Sequence, residues 1–383
     1  MVHMLENCLF LSLNENESHT LKFPYNDLNW KKLFPTDSSY NYIFLGVQES
    51  GGKFYSQMNI FLRGYVDVTP ILTQEFTPLR NVVSRIASPF RKKNAHLYVF
   101  MKEGAPHNSP AVVWSMKNCT LDCGFDTATC LFKSAQILVG QTKDPSSPPI
   151  VVINTHLYYT YIPPGNTDHG YPKRIRQLFL ILQVANAFVW EKTGKSLYEA
   201  CVVLMGDLNF RIPRLRDMSS EQLQKVVDVY DMSRLEDQFQ MFRIPSNVPE
   251  NIKTVFKGLR WDFIHHWKTK VGLTCKIKKH TPEIQFDRSG KTWWGRKGHL
   301  TKAQCDKILC YVPGTTFPDS DAGTFRIVGT DHLLVFRKFK DTFTKVTKNQ
   351  SQLQGTDNVT ANVTANLVPE KWMGIVLLIL LMI

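Results

Sequence analysis

The sequence lacks the cysteine pattern of a zinc site, because no two of its eight cysteines form a CxxC pair. It is also poor in acidic residues, with 33 Asp and Glu against 46 Lys and Arg. The resulting formal net charge of +13 favours anionic partners: phosphorylated small molecules, acidic lipid headgroups or nucleic acid. Charge alone does not choose among these partners, and the even cysteine count leaves disulfides open.

The termini lack two further features, an export signal and a long apolar run. The apolar run at residues 372–383 is shorter than the roughly 20 residues that span hydrocarbon. It fits a short membrane tail or, with the small and polar segment 354–367 before it, the removable tail of a lipid-anchor signal. We predict membrane attachment through 372–383, with the side of the membrane undecided. Glycosylation sequons occur at Asn16, Asn118, Asn349, Asn358 and Asn362.

The first 340 residues contain no linker, repeat or low-complexity segment, which indicates one catalytic domain over 5–340. A polar tail at 341–371 and the apolar segment 372–383 follow it. Strand-like runs such as "CLFLSL", "PIVVINTHLYY" and "ACVVLMGDLNF" alternate with helical patterns at 171–194 and 219–239. Runs that are apolar on both faces predict covered sheets, so the expected fold class is a layered α/β sandwich.

Polar residues collect where these strand-like runs begin or end. Each one alone fits a turn, a solvated strand end or a satisfied core histidine, but their joint occurrence at strand edges favours a site. A sheet directs such residues towards one rim. The positions are Asn14, Glu49, Asn154, His156, Asp207, Asn209, Arg211, Asp306, Lys307, Asp331 and His332.

These residue types suit phosphate ester hydrolysis, which needs a Mg²⁺ site, a group to orient water and donors for developing charge. The oxygen ligands for Mg²⁺ are predicted to be Asn14, Glu49 and Asp331. Asp207 is predicted to hold the attacking water, and Asn209 to donate to the phosphate. His332 supported by Asp306, together with His156, supplies proton transfer or further donors. Substrate contacts are predicted for Arg211, Lys307 and Asn154.

The motifs "LMGDLNFRI", "KAQCDKIL", "QESGGKFY", "INTHL" and "TDHLLV" resemble those of inositol polyphosphate 5-phosphatases, members of the endonuclease/exonuclease/phosphatase superfamily. The resemblance covers roughly residues 8–338. It implies two mixed β-sheets flanked by helices, as in deoxyribonuclease I. It also implies a Mg²⁺-dependent phosphomonoesterase that removes the 5-phosphate from phosphoinositides or inositol polyphosphates at a membrane.

The chain departs from that family where substrate is recognised. Phe125 and Asp126 stand where the family has an Asn-Lys pair, Gln285 replaces an expected lysine, and Lys302 replaces a proline. Basic residues at 91–93, and at 291–297 beside two tryptophans, suit an anionic membrane surface. Substrate choice therefore stays open, while nucleic acid is not expected as a partner.

Two other functions stay open at this point. A phosphodiesterase of the same fold, acting on sphingomyelin or nucleic acid, fits the altered recognition block and the positive charge. A non-catalytic binding protein fits the loss of substrate contacts, although the intact acids and histidines argue against it.

Overall fold

The computed structural model describes the central part of the chain, and all described residues lie in one compact unit, Met1–Lys345. The described residues are 5, 8–15, 21–34, 40–50, 52–69, 73–75, 95–103, 112–121, 133–142, 144–158, 170–210, 244, 246, 248–268, 305–314, 320–327, 330 and 332–339. The predicted domain boundaries at 340 and 371 stay predictions, because residues 341–383 lie outside this set.

Within the described residues, sheet I has six strands in the order β11-β12-β1-β2-β5-β3. Strands β1 and β2 are parallel, and the other neighbours in this sheet are antiparallel, so the sheet is mixed. Its strands are β1 Cys8–Asn14, β2 Tyr42–Gln48, β3 Tyr65–Asp67, β5 His96–Lys102, β11 Ser320–Arg326 and β12 Leu333–Phe339.

Sheet II also has six described strands, in the order β10-β9-β8-β7-β6-β4. Its parallel pairs are β8 with β9 and β4 with β6, so this sheet is mixed as well. Its strands are β4 Thr73–Glu75, β6 Val112–Thr120, β7 Ser134–Thr142, β8 Ile150–His156, β9 Cys201–Asp207 and β10 Asp306–Tyr311.

Helices cover the outer face of each sheet. Those beside sheet I are α1 Leu28–Leu33 and α2 Lys53–Phe61, and those beside sheet II are α3 Gly170–Thr193 and α4 Glu250–Lys268. A 3₁₀ turn, Leu197–Glu199, leads into β9 and opens with a capping box between Ser196 and Glu199. The predicted helix at 171–194 corresponds to α3, and the one at 219–239 lies outside the described residues.

Alternation along the strands divides the core into three layers. In β1, Phe10 faces the other sheet and stacks on Phe44 of neighbouring β2 at 4.9 Å, while Leu9 and Leu11 face the helices on the outside. In β9, Val203 likewise faces inward and Val202 packs towards α3 and α4. Because both faces are covered, the strands read as unbroken apolar runs. The predicted α/β sandwich of two mixed sheets flanked by helices is confirmed.

Two other expectations, on disulfides and on glycosylation, concern this part of the chain. The five described cysteines, Cys8, Cys119, Cys201, Cys305 and Cys310, are all buried in or beside strands. Asn118, one of the sequon residues, lies within β6 with its side chain accepting a hydrogen bond from Gln136. Its glycosylation stays a prediction.

The predicted attachment to a membrane through residues 372–383 is corrected. No helix in the described ranges combines the length and the apolar character needed to cross a bilayer. Residues 372–383 lie outside those ranges.

Candidate active site

Strand ends from both sheets meet at what we call the shared edge. β1 and β2 run in parallel and end side by side, with Asn14 opposite Gln48. β8 and β9 do the same in sheet II, where His156 lies opposite Asp207. β10 is antiparallel to β9, so it begins where β9 ends, with Asp306 opposite Asp207. Parallel strands end together there and an antiparallel partner begins there, which brings together Asn14, His156, Asp207 and Asp306.

Asp207 connects the two sheets at the shared edge. Its Oδ2 accepts a hydrogen bond of 2.9 Å from Asn14 Nδ2, although the two residues belong to different sheets. Its Oδ1 accepts a hydrogen bond of 3.0 Å from the backbone N–H of Asn209. With Asp207 only 3% exposed, these two bonds fix the carboxylate in one orientation.

Burial alone would raise the pKa of Asp207, since it disfavours the charged form. Electrostatic interactions with His156, His332 and Lys133 and the hydrogen bond from Asn14 act in the opposite direction and lower the pKa to about 2. Asp207 is therefore ionised at neutral pH and is a weak proton acceptor. Such a carboxylate is suited to orienting a water molecule by accepting a hydrogen bond.

Asp306 and His332 form a second pair at the shared edge. His332 Nδ1 lies 2.7 Å from Asp306 Oδ2, and the Asp306 side chain is fully buried. The carboxylate accepts the Nδ1 proton in a hydrogen bond, which leaves Nε2 as the nitrogen for proton exchange. The backbone N–H of His332 also donates to Thr330 Oγ1, and Thr330 Oγ1 donates to the carbonyl oxygen of Asn14 at 2.7 Å. The histidine is thereby tied to the end of β1.

His156 lies between the acids of the two sheets. Its Nε2 is 3.7 Å from Glu49 Oε1 and 3.6 Å from Asp207 Oδ2. The same nitrogen contacts Nζ of Lys133, a residue that the sequence motifs do not single out. Lys133 directly precedes β7, the strand that pairs with β8. The signal for it is this pairing, because a cation at the start of β7 is carried next to the "INTHL" end of β8.

The backbone at the shared edge has unusual conformations. Gly206 has φ 130°, and a Cβ there would lie 1.9 Å from the carbonyl oxygen of Thr155. Only glycine fits this close approach of β9 to β8, which explains the glycine of "GDLN". Glu49 and Asn209 have positive φ values of 47° and 54° without being glycines. Such strain occurs at functional sites, where the fold holds the side chains in place.

Glu15 supports the segment that carries Glu49. This residue follows Asn14 and is fully buried, and its Oε1 accepts a hydrogen bond of 2.8 Å from the backbone N–H of Phe54. A carboxylate at the start of α2 complements the positive end of the helix dipole. Because α2 begins at Lys53, four residues after Glu49, this bond fixes the start of the helix relative to β1.

Asn154 lies between the sheets rather than beside Asp207. Its Nδ2 donates to the carbonyl oxygens of Val47 and His96 at 3.2 and 2.7 Å, and its Oδ1 accepts from Gln48 Nε2 at 2.6 Å. These bonds use the amide to connect β8 to sheet I. Its predicted contact with substrate stays a prediction.

The remaining predicted substrate and metal residues are Lys307, Arg211 and Asp331. Lys307 is fully buried, and strand alternation puts it on the same face as Leu309, which packs towards α3 and α4. This is the face opposite to that of Ile308, which lies between the sheets. Arg211 and Asp331 lie outside the described residues. The roles of all three stay predictions.

Comparisons with known proteins find similarity in three-dimensional structure only. No model of a known protein family matches the chain, and no curated protein matches it. The inositol polyphosphate 5-phosphatase domain of SPsynaptojanin, solved with inositol (1,4)-bisphosphate and a calcium ion, is 17% identical with a TM-score of 0.51. That match covers 87% of this chain and 83% of the other chain. The chain has the deoxyribonuclease I-like fold.

Two more distant structures align over similar lengths. The Cimex nitrophorin ferrous NO complex is 13% identical, with a TM-score of 0.47 and coverage of 87% of this chain and 96% of that chain. TDP2 of D. rerio, complexed with single strand DNA product, is 10% identical, with a TM-score of 0.37 and coverage of 87% and 98%. The prediction that excluded nucleic acid as a partner is corrected, because the comparisons give no support for that exclusion. The expectation of an anionic membrane surface is withdrawn with it.

Within the deoxyribonuclease I-like fold of this chain, the Mg²⁺ ligands Asn14 and Glu49 stay a prediction, while a second set of described side chains has the spacing to hold a metal ion. Asn14 donates through Nδ2, so its Oδ1 together with the Glu49 carboxylate offers the oxygen ligands that Mg²⁺ prefers. Asp207, Asp306 and His332 each place one ligand atom within 4.8 Å of the others. The imidazole in this second set is a ligand better suited to zinc or iron than to Mg²⁺.

Proposed function

We propose that this protein is a Mg²⁺-dependent phosphomonoesterase that removes the 5-phosphate from inositol polyphosphates or from the headgroups of phosphoinositides. The observation that carries the proposal is that carboxylates and histidines from both sheets lie in contact at the shared edge. His156 meets Asp207 and Glu49, and His332 meets Asp306. Such a cluster of carboxylates and histidines, partly open to solvent at Glu49 and His332, is more typical of a functional site than of isolated structural ion pairs.

Each described residue has a role that follows from its contacts. Asp207 is ionised and fixed by Asn14 and Asn209, so it orients the attacking water towards phosphorus. Asn209 donates an amide hydrogen to the carbonyl oxygen of Leu157 at 3.1 Å, which orients its side chain, and we assign it a donor role towards a phosphate oxygen. His332 with Asp306 stabilises the negative charge that builds on the phosphoryl oxygens.

The remaining groups serve the leaving group and the metal ion. His156 exchanges a proton with the leaving oxygen. Glu49 and Asn14, with Asp331 as the third predicted ligand, hold Mg²⁺, which neutralises phosphate charge when it is bound.

The substrate class rests on sequence motifs and on one similarity in fold. "GDLNFR" and "CDKIL" resemble the two signatures of inositol polyphosphate 5-phosphatases, and they supply Asp207, Asn209 and Asp306 at the shared edge. The SPsynaptojanin domain of the same fold was solved with an inositol bisphosphate. The net charge of +13 suits a polyanionic substrate. Gln285 and Lys302, where the family pattern differs, lie outside the described residues.

The test is release of inorganic phosphate from a panel of soluble inositol phosphates and short-chain phosphoinositides, with Mg²⁺ and with chelator. We expect metal-dependent release that falls by about 10²–10⁴-fold in Asp207→Asn, since the amide keeps the shape but loses the charge. The matched control is Asp144→Asn, which alters an exposed turn carboxylate that accepts hydrogen bonds from Ser146 and Ser147. Equal rates for the Asp207→Asn variant and the wild-type protein would refute the proposal.

The alternative functions give different results in the same experiment. A phosphodiesterase releases phosphocholine from sphingomyelin or nicks DNA while leaving phosphomonoesters intact. A binding protein without turnover releases nothing from either class and still binds inositol phosphates. Each of these outcomes would exclude the phosphomonoesterase.

A further inference from the structure

Lys133 is a buried cation at the shared edge that the sequence motifs do not account for. It directly precedes β7, and the antiparallel pairing of β7 with β8, in which Ala135 lies opposite Thr155, carries it next to the end of β8. Its backbone carbonyl accepts a hydrogen bond of 3.1 Å from the N–H of Leu121. The residue is only 7% exposed, so its charged group is held inside the protein.

The surroundings of the Lys133 ammonium are those of the reacting groups. Nζ contacts Nε2 of His156, and this nitrogen is the one that lies 3.7 Å from Glu49 and 3.6 Å from Asp207. A lysine ammonium only donates hydrogen bonds, so it meets the lone pair of Nε2 and places the imidazole proton on Nδ1. In this arrangement Nε2 of His156 accepts a hydrogen bond and cannot donate to a leaving oxygen.

We propose that Lys133 is a phosphate-binding residue of this site, and that its ammonium exchanges His156 Nε2 for a phosphate oxygen when a phosphate group binds. The proposal rests on the proposed function and assigns it a further residue. A phosphate oxygen is an anionic acceptor, so it makes a stronger hydrogen bond with an ammonium group than a neutral imidazole does.

Burial makes this cation effective. A charge in a low-dielectric environment interacts several-fold more strongly with a nearby phosphate than a charge in water does. Lysine binds phosphate as a point charge and needs no fixed two-pronged geometry, so a short movement of its flexible side chain is enough. A single hydrogen bond to a charged group contributes about 10- to 100-fold in affinity.

The test measures binding of inorganic phosphate to the full chain in the presence of Mg²⁺ by isothermal titration calorimetry. We expect Lys133→Met to weaken phosphate binding by about 10- to 100-fold and Lys133→Arg, which keeps the charge, to retain most of the affinity. The matched control is Lys117→Met. Lys117 lies on neighbouring β6, and its Nζ is 4.0 Å from Glu191 Oε2, so its ion pair does not involve the acids of the site. It should bind phosphate as the wild-type protein does.

The arginine variant separates a role of the charge from a role in packing. If only packing mattered, both Lys133 variants would have a lower melting temperature and the same affinity for phosphate. Wild-type affinity in Lys133→Met would overturn the proposal, and so would equal weakening in Lys133→Arg. A measurement on the wild-type protein covers the case in which Lys133→Met does not fold. The ¹⁵N resonance of His156 Nε2 should shift when phosphate is added, and an unchanged resonance at saturating phosphate would also overturn the proposal.

Binding and turnover distinguish this inference from the function on which it rests. A wild-type protein that binds phosphate but hydrolyses no member of the substrate panel would refute the phosphomonoesterase, and Lys133 would still be judged by its effect on binding. If the wild-type protein hydrolyses the panel and Lys133→Met does so with the same efficiency, only the role of Lys133 would be refuted.

Discussion

Replacing Asn154 by alanine should destabilise the protein without a direct effect on substrate binding. The side chain makes three hydrogen bonds between the sheets, to the carbonyl oxygens of Val47 and His96 and from Gln48 Nε2. Each bond that is lost leaves a buried partner unsatisfied, at a cost of about 1–3 kcal/mol. Because a carbonyl oxygen has a second lone pair, we take about 1 kcal/mol for each and expect the free energy of unfolding to fall by about 3 kcal/mol.

The measurement is urea unfolding followed by tryptophan fluorescence, with KM for phosphate release determined on the same protein. Asn118→Ala is the matched control, since it removes an amide that accepts one hydrogen bond of 2.7 Å from Gln136 between neighbouring strands, and should cost about 1 kcal/mol. A loss below about 1 kcal/mol in Asn154→Ala would refute the inter-sheet reasoning. A raised KM at unchanged stability would instead support the substrate contact predicted from the sequence.

Three further predictions concern a glycine, the metal ion and a tyrosine. Gly206→Ala should lower the free energy of unfolding by about 3–5 kcal/mol, because the new Cβ meets the carbonyl oxygen of Thr155. Gly194→Ala, at φ 68° with nothing within 4 Å of the new Cβ, should cost about 1 kcal/mol, and equal losses on thermal unfolding would contradict this reasoning. Chelation should abolish phosphate release and Mg²⁺ should restore it, and activity that persists in chelator after dialysis would exclude the metal requirement. Tyr55 donates a hydrogen bond to Asp67, which raises the pKa of Tyr55 to about 12. Its stabilising contribution is therefore present below about pH 10 and is lost as pH rises through 12. Tyr55→Phe should flatten the fall in stability over this pH range, and an unchanged slope would contradict the prediction.

The strands were predictable because both sheets are covered on both faces. "CLFLSL" and "ACVVLMGD" contain no solvent-facing side, and each became a fully buried strand, β1 and β9. The positions of Asn14 and Asp207 followed from these strands, since a residue at the end of a buried strand lies at the edge of the sheet. Helix α4 is not among the helices that the sequence predicts, although Glu250 in its first turn is a typical start signal.

Lys133 and Asn154 show where sequence reasoning stops. Lys133 stands at the start of a strand in "LFKSAQ", where a lysine is usually a solvated strand end, and only the pairing of β7 with β8 places it beside His156. Asn154 shares the inward face of β8 with His156, so the alternation treats the two residues alike. The difference is set by the approach of sheet I, whose carbonyl oxygens meet Asn154 two residues before the strand ends.

Because Asn14 is bonded to Asp207 and to Thr330, the shared edge depends on contacts that span 193 and 316 positions of the sequence. Contacts across such separations form late, since the loop-closure entropy must be lost before they contribute any stability. A nascent chain therefore has β1, β8 and β9 synthesised, with Asn14, His156 and Asp207, long before Thr330 and His332 exist to complete the site. The activity of this site should appear as one of the last events of folding, after synthesis has passed residue 332.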